Sequence, residues 1–244
     1  MSHTASLVVS IDLARMNDPR AVDRVLGMAD RLGQRLTICV GISSAPALMK
    51  KLGSGTRHEL ALAADDEWSA RVTPRAELSR ALATADAFCR RMAWNPTTLA
   101  TNELPAPEHL DLLVRRAFTA IRTPGADQPH RARSWWANPI PEAPIGLRWG
   151  LWHIPATTDL SSLSSRAVEK LLAAATHGQV VHWAIEWGRG LSPMRELAGI
   201  ERVFETAAKL ARERVVRSAT MGDLAQRLTR PNATISARSV LRAA

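Results

Sequence analysis

The side chains with chemistry to offer are few and widely spaced. Asp12 closes the apolar run 6–11, and a carboxylate at such a place either caps the following turn or pairs with a neighbouring Arg or His. His182 sits inside a second apolar run, 179–185. An imidazole there is either a hydrogen-bonded core residue or a general acid–base group. His58 opens a short apolar stretch and reads as structural, whereas His153 follows a Trp-rich segment and is a candidate for ligand contact. The chain has eight Trp and no Tyr, and most of the indoles fall near strand ends or in one long loop. Indole faces stack on sugar rings, so Trp135, Trp136, Trp183 and Trp187 are candidates for lining a cleft; core packing or loop anchoring is the competing reading.

Other chemistries lack their signatures. There is no G-x-S-x-G elbow to present a serine nucleophile. Gly53-Ser54-Gly55 is not followed by the Lys-Ser/Thr of a phosphate-binding loop. Cys39 and Cys89 lie in apolar surroundings without CxxC spacing, which makes them packing residues rather than ligands or a disulfide.

These residues need a scaffold, and the pattern supplies one. Apolar runs of strand length at 6–11, 35–40, 58–62, 97–100, 118–121, 151–154, 179–185 and 215–218 alternate with helical periodicity at 19–32, 44–52, 73–91, 107–116, 165–176 and 193–213. Asp18-Pro19 suits a helix start and Gly33 a helix stop. Thr220, with Asp223 three residues on, starts a last helix. Such alternation implies a parallel sheet with crossover helices. Residues 123–146 break the rhythm with five Pro, two Gly and Trp135-Trp136, and read as a long loop that shapes or covers a site. The expectation is one domain over 1–229 and a basic, frayed tail over 230–244.

The net charge of +9 admits an anionic partner, but the basic residues are spread over all the helices. With three Phe and no Tyr, a base-stacking nucleic-acid module is not expected. No run of about 18 apolar residues occurs, so no membrane span is expected. The N-terminus lacks a basic start, a long apolar core and a cleavage site, and a cytoplasmic protein is expected.

Five segments, taken in order, resemble the NodB-type polysaccharide deacetylases (carbohydrate esterase family four). LVVSIDLARMNDPRAVDRVLGMADRLGQRLTICVG resembles that family's first strand, acidic loop, helix and second strand. RHELALAADDEW resembles its second motif, and TLATNELPAPEHLDLLVRRAFTAIRTP its third motif with the following strand. VVHWAIEW is similar to a late histidine-bearing strand, and IERVFETAAKLARERVVRSATMGDLA to the closing helix, strand and helix. The resemblance spans about residues 5–229 and implies a distorted (β/α)7 barrel with its site at the C-terminal ends of the strands.

The family reaction is metal-assisted hydrolytic removal of acetyl groups from sugars, with a divalent ion such as zinc held by one aspartate and two histidines. By resemblance, Asp12 matches the catalytic base, or, shifted by one residue, the ligand; Leu13 follows it, so one acid of the family's pair is missing. His182 matches the late histidine that protonates the leaving group. The two histidine-ligand positions fall at Ala63 and Glu67, leaving Asp66, Glu67 or Glu186 as oxygen donors, a poor set for zinc. The family's arginine and aromatic fall at 95–102, where no arginine stands. Two readings follow: a deacetylase with altered ligands, or a pseudoenzyme that binds a glycan or a partner protein through a Trp-lined cleft.

Overall fold

The apolar runs become strands and the helical patterns become helices, in alternation. The computed structural model describes residues 5–13, 19–52, 55–65, 68, 71–124, 143–156, 158–159, 170, 172, 175, 178–186, 193–230 and 238–239. The elements are β1 (Ala5–Asp12), α1 (Pro19–Arg31), β2 (Leu36–Val40), α2 (Ala45–Leu52), β3 (Glu59–Ala63), α3 (Arg75–Arg91), β4 (Thr98–Ala100) and α4 (Leu110–Val114). They continue with β5 (Ala120–Arg122), β6 (Ile145–Gly146), β7 (Trp152–His153), β8 (Thr158–Asp159), β9 (Val180–Glu186), α5 (Pro193–Arg212), β10 (Val216–Ala219), α6 (Met221–Thr229) and β11 (Arg238–Ser239). Asp18, expected to cap α1, lies outside the described residues, as does most of the helix expected over 165–176.

The sheet runs in the order β11-β6-β7-β5-β4-β3-β2-β1-β9-β8, and β10 pairs the first half of β1. Among the described residues every pairing is parallel except β6 with β7. The sheet curls into a partly open barrel, the architecture the resemblance implies. Two differences from the sequence reading are local. The helix expected over 107–116 begins as a 3-10 turn at Pro107–His109 and stops at Val114, because Ala117 takes a left-handed φ of 60° and Phe118 returns its N–H to the Leu113 carbonyl. The end of the expected loop, Ile145–Gly146, pairs antiparallel with β7, and Arg238–Ser239 from the basic tail extends that edge.

Side chains alternate across a strand, and the alternation separates two cores. Leu7, Val9 and Ile11 of β1 and Val181, Trp183 and Ile185 of β9 face outward, packed with Val25 of α1 and Phe204 of α5. Gly33, at φ 70°, closes α1: its N–H reaches the Asp30 carbonyl and that of Gln34 reaches Ala29, a double bond pattern that needs the left-handed conformation. Inward, Val8, Ala120, Ile154 and Val180 pack against Met221, Leu224, Ala225 and Leu228, so α6 plugs the N-terminal end of the barrel.

A polar layer holds that plug. Thr220 and Asp223 form the expected capping box at the start of α6. Above it the Glu59 carboxylate accepts from Gly222 N–H (2.9 Å), Thr37 Oγ1 (3.0 Å) and Thr98 Oγ1 (2.5 Å), and Thr37 Oγ1 in turn accepts from Met221 N–H (2.9 Å). The carboxylate thus satisfies orphan donors at the positive end of the helix. Only glycine fits here: a Cβ at position 222 would lie 2.9 Å from Thr97 Oγ1 and 3.0 Å from Glu59 Oε1. Gly222→Ala is therefore predicted to destabilise the fold by about 1–3 kcal/mol, read as a lower urea midpoint with unchanged m.

Candidate functional site

With α6 filling one end, the inward side chains at the other end are those of the strand termini. Asp12 pairs in register with Cys39 of β2 on one side and Glu186 of β9 on the other. Ala63 of β3, Ala100 of β4 and Arg122 of β5 stand side by side in the same sense. Cys39, Ala61, Ala63 and Ala100 form one small buried cluster of short side chains.

Arg122 occupies this region and is 2% exposed. Its Nη1 lies 3.6 Å from Asp12 Oδ2, an ion pair too long for a hydrogen bond. Its Nε and Nη2 are buried and meet no acceptor. Asp12 keeps about a quarter of its side chain (24%) in contact with solvent, so the pair runs from the buried wall to the mouth. An arginine thus stands beside Asp12, but it comes from β5 and not from 95–102, where the sequence reading looked for it. The signal available was the short apolar stretch 118–121 ending in a basic residue, the mirror of the run that ends in Asp12.

His182 is buried beneath this pair. Its Nδ1–H donates to the carbonyls of Ile154 (3.1 Å) and Pro155 (3.0 Å), which can only accept, so Nε2 is the acceptor for the Ser10 hydroxyl at 2.8 Å. Burial, with the charge of Arg122 added, pulls the imidazole down to about 3. His182 is therefore neutral, has both ring nitrogens engaged, and ties β9 to β1 and to the segment after β7. His153 Nε2 meets Thr123 Oγ1 at 2.9 Å, and burial pulls this ring down to about 4. Burial pushes the Cys39 thiol up to about 12 despite nearby Arg122, which leaves it protonated and unreactive.

The other expected residues separate. Trp183 is fully buried (0% exposed) in the layer between sheet and helices, on the face of β9 opposite His182, so it is a core residue and not a cleft wall. Trp135, Trp136, Trp187, Asp66 and Glu67 lie outside the described residues. His58 is far from the mouth, with Nδ1 accepting the Leu36 N–H at 3.2 Å, the structural role read for it.

Among the described residues no three His, Cys, Asp or Glu side chains come together to hold a metal ion. Among the described side chains, the strand ends bring together the Asp12 carboxylate, a guanidinium, a protonated thiol and a doubly engaged imidazole. A fixed positive charge 3.6 Å from the carboxylate makes this set a poor fit for a divalent cation. No helix among the described residues is long and apolar enough to cross a membrane.

No protein-family model matches the chain, and no curated protein matches it. Solved structures do. A Mycobacterium smegmatis protein assigned to the polysaccharide deacetylases aligns over 100% of this chain and 96% of its own, with 15% identity and a TM-score of 0.58. A family 4 acetyl xylan esterase from Clostridium thermocellum, solved with a cobalt ion, aligns over 89% of each chain with 12% identity and a TM-score of 0.52. A 4-alpha-glucanotransferase from Thermococcus litoralis aligns over 97% of this chain but 41% of its own, with 10% identity and a TM-score of 0.61. At these identities the likeness is one of fold: the chain has the NodB-type α/β barrel of the polysaccharide deacetylases.

The two buried imidazoles give a pH dependence with a definite sign. Unfolded histidine titrates near 6.5, whereas folded His182 titrates near 3 and His153 near 4, so between these values the unfolded chain binds more protons. Stability is predicted to fall as pH drops from about 6.5 towards 4, by up to about 1.4 kcal/mol per pH unit for each ring. Thermal midpoints measured from pH 7.5 to 4 check this, and the slope should shrink in His182→Gln.

Proposed function

We propose that this chain is a polysaccharide deacetylase-like protein that engages carbohydrate at the C-terminal ends of its strands and has lost the family's metal site. The observation that supports this reading is the pairing of Asp12 with the buried guanidinium of Arg122, where a metal-dependent hydrolase needs clustered ligands. In the sequence, Ala63 and Glu67 stand at the two positions where the resemblance calls for histidine ligands. Asp12, partly open to solvent, accepts hydrogen bonds from sugar hydroxyls, and Arg122, 3.6 Å away, orients it. His182, neutral and doubly bonded, positions Ser10 and the segment after β7 and is not the proton donor expected of it at neutral pH. Trp135, Trp136 and Trp187 remain the candidates for ring stacking.

A second reading keeps the hydrolase. It draws on the β1–β9 register, which places Glu186 next to Asp12 and so brings two carboxylate-bearing residues to one strand end. A divalent ion held there with Asp66 or Glu67 would polarise an acetyl carbonyl and activate water.

Titration calorimetry and acetate release separate the two. With N-acetylated chitotriose and acetylated xylan, the first reading predicts binding that Asp12→Ala weakens about tenfold, near 1.4 kcal/mol, and no acetate release with added zinc or cobalt. Acetate release that requires added metal and is lost in Asp12→Ala would establish the second reading instead.

A further inference from the structure

Arginines far apart in the sequence meet at the closed end of the barrel. Helix α6 lies across that end with Met221, Leu224, Ala225 and Leu228 turned inward, which leaves Asp223, Gln226, Arg227 and the following Arg230 on the outer stripe. Arg35, just before β2, reaches this stripe and pairs through Nη1 with Asp223 Oδ2 at 2.5 Å. The same oxygen accepts the Thr220 N–H at 3.3 Å, and Arg227 Nε donates to the Asp223 carbonyl at 3.4 Å. Burial, with the charge of the exposed Arg217 of β10 and that of Arg35 added, lowers the Arg227 pKa from its ordinary value, as expected where like charges crowd. At the far end of α6, Thr229 Oγ1 accepts from Trp152 Nε1 at 3.0 Å, which sets Arg230 beside the turn that precedes β7. That turn is tight: Leu147 N–H donates to the Leu151 carbonyl at 2.8 Å, and Leu151 N–H to that of Arg148 at 3.2 Å. Arg148, Trp149 and Gly150 stand exposed at its tip. Trp149 is 59% exposed and holds a left-handed φ of 57°, a strained conformation for so bulky a residue. Glycine would relieve that strain, so the backbone of the turn gives no reason for an indole here. Of the charged residues named, five are arginines and one is an acid.

We infer that the closed end of the barrel docks on an anionic lipid bilayer, with Trp149 seated at the level of the headgroups and Arg35, Arg148, Arg217 and Arg230 opposite the lipid charges. An indole prefers that level, because its ring is apolar and its Nε1–H is polar. Guanidinia within a screening length of an anionic leaflet are attracted to it, and Arg227 adds its charge from beneath. The net charge of +9 favours the approach. A single-stranded nucleic acid fits the face less well, since such binders stack successive bases on several rings and Trp149 is one exposed indole. The strands run from this end towards the mouth, so docking leaves the Asp12 end facing away from the bilayer. The inference is independent of what that mouth binds.

Co-sedimentation of the full chain with lipid vesicles tests this, using equal parts phosphatidylserine and phosphatidylcholine against phosphatidylcholine alone. The wild type is expected to bind the anionic vesicles at least about tenfold tighter, a preference lost at about 1 M salt, where the screening length is near 3 Å. Trp149→Gly suits the left-handed backbone, so it should keep the thermal midpoint within about 2 °C yet weaken binding about tenfold. Arg148→Gln and Arg230→Gln, at exposed positions, should each weaken it about fivefold. Arg71→Gln removes the same charge from the exposed segment after β3, at the mouth, and should change binding by less than about twofold. If Trp149→Gly does not fold, Arg148→Gln against Arg71→Gln decides. No binding, equal binding to both vesicles, a Trp149→Gly variant that binds like wild type, or equal losses in Arg71→Gln and Arg148→Gln overturns the inference. Binding to a single-stranded oligothymidylate in place of the vesicles overturns it in favour of nucleic acid.

Discussion

The interaction on which the strand ends depend is the long pairing of Arg122 with Asp12. A guanidinium at 2% exposure and 3.6 Å from its carboxylate is tolerated only where the surrounding fold over-determines its position. Three features do so here. The short side chains of Cys39, Ala61, Ala63 and Ala100 stand on the strands beside it, the registers of β3, β4 and β5 carry it to the same level as the end of β1, and the Ser10–His182 pair packs beneath it with every ring nitrogen satisfied. Lower still, Glu59 holds the start of α6 and closes the opposite end of the barrel. The inside is thus layered from apolar plug, through neutral hydrogen bonds, to one charged pair at the mouth.

That layering bears on chemistry. A metal-dependent hydrolase requires deprotonated or neutral donors converging on one point. The described residues present the reverse arrangement, with the thiol held protonated, the imidazole spent on carbonyls and a hydroxyl, and a cation already seated beside the carboxylate. The fold is shared with acetyl xylan esterase and glucanotransferase structures, and a fold alone does not fix the residues at its strand ends.

Much of the frame was legible in the sequence because it rests on patterns of ten residues or more. Helical periodicity located α1, α3 and α5, and Thr220 with Asp223 located the start of α6 to the residue. The site was less legible because it rests on single positions of short strands. Arg122 ends a three-residue strand, too short for alternation to show that it points inward. Trp183 reads as a cleft wall from its place near a strand end and His182 as an acid from the family resemblance; in a strand neighbours face opposite ways, which sends Trp183 to the helix-facing core and His182 to the interior of the barrel. The inward neutral state of His182 depends on Ile154, Pro155 and Ser10, residues 28, 27 and 172 positions away, and no local pattern announces such partners.

The central claim, that these strand ends hold a charged side-chain pair in place of a metal, is tested most directly by the metal content of the full chain. The purified protein would be incubated with zinc, desalted and measured by elemental mass spectrometry. Zinc at background in wild type, unchanged in Asp12→Ala, is the predicted result. Zinc near one equivalent per chain that disappears in Asp12→Ala would contradict it.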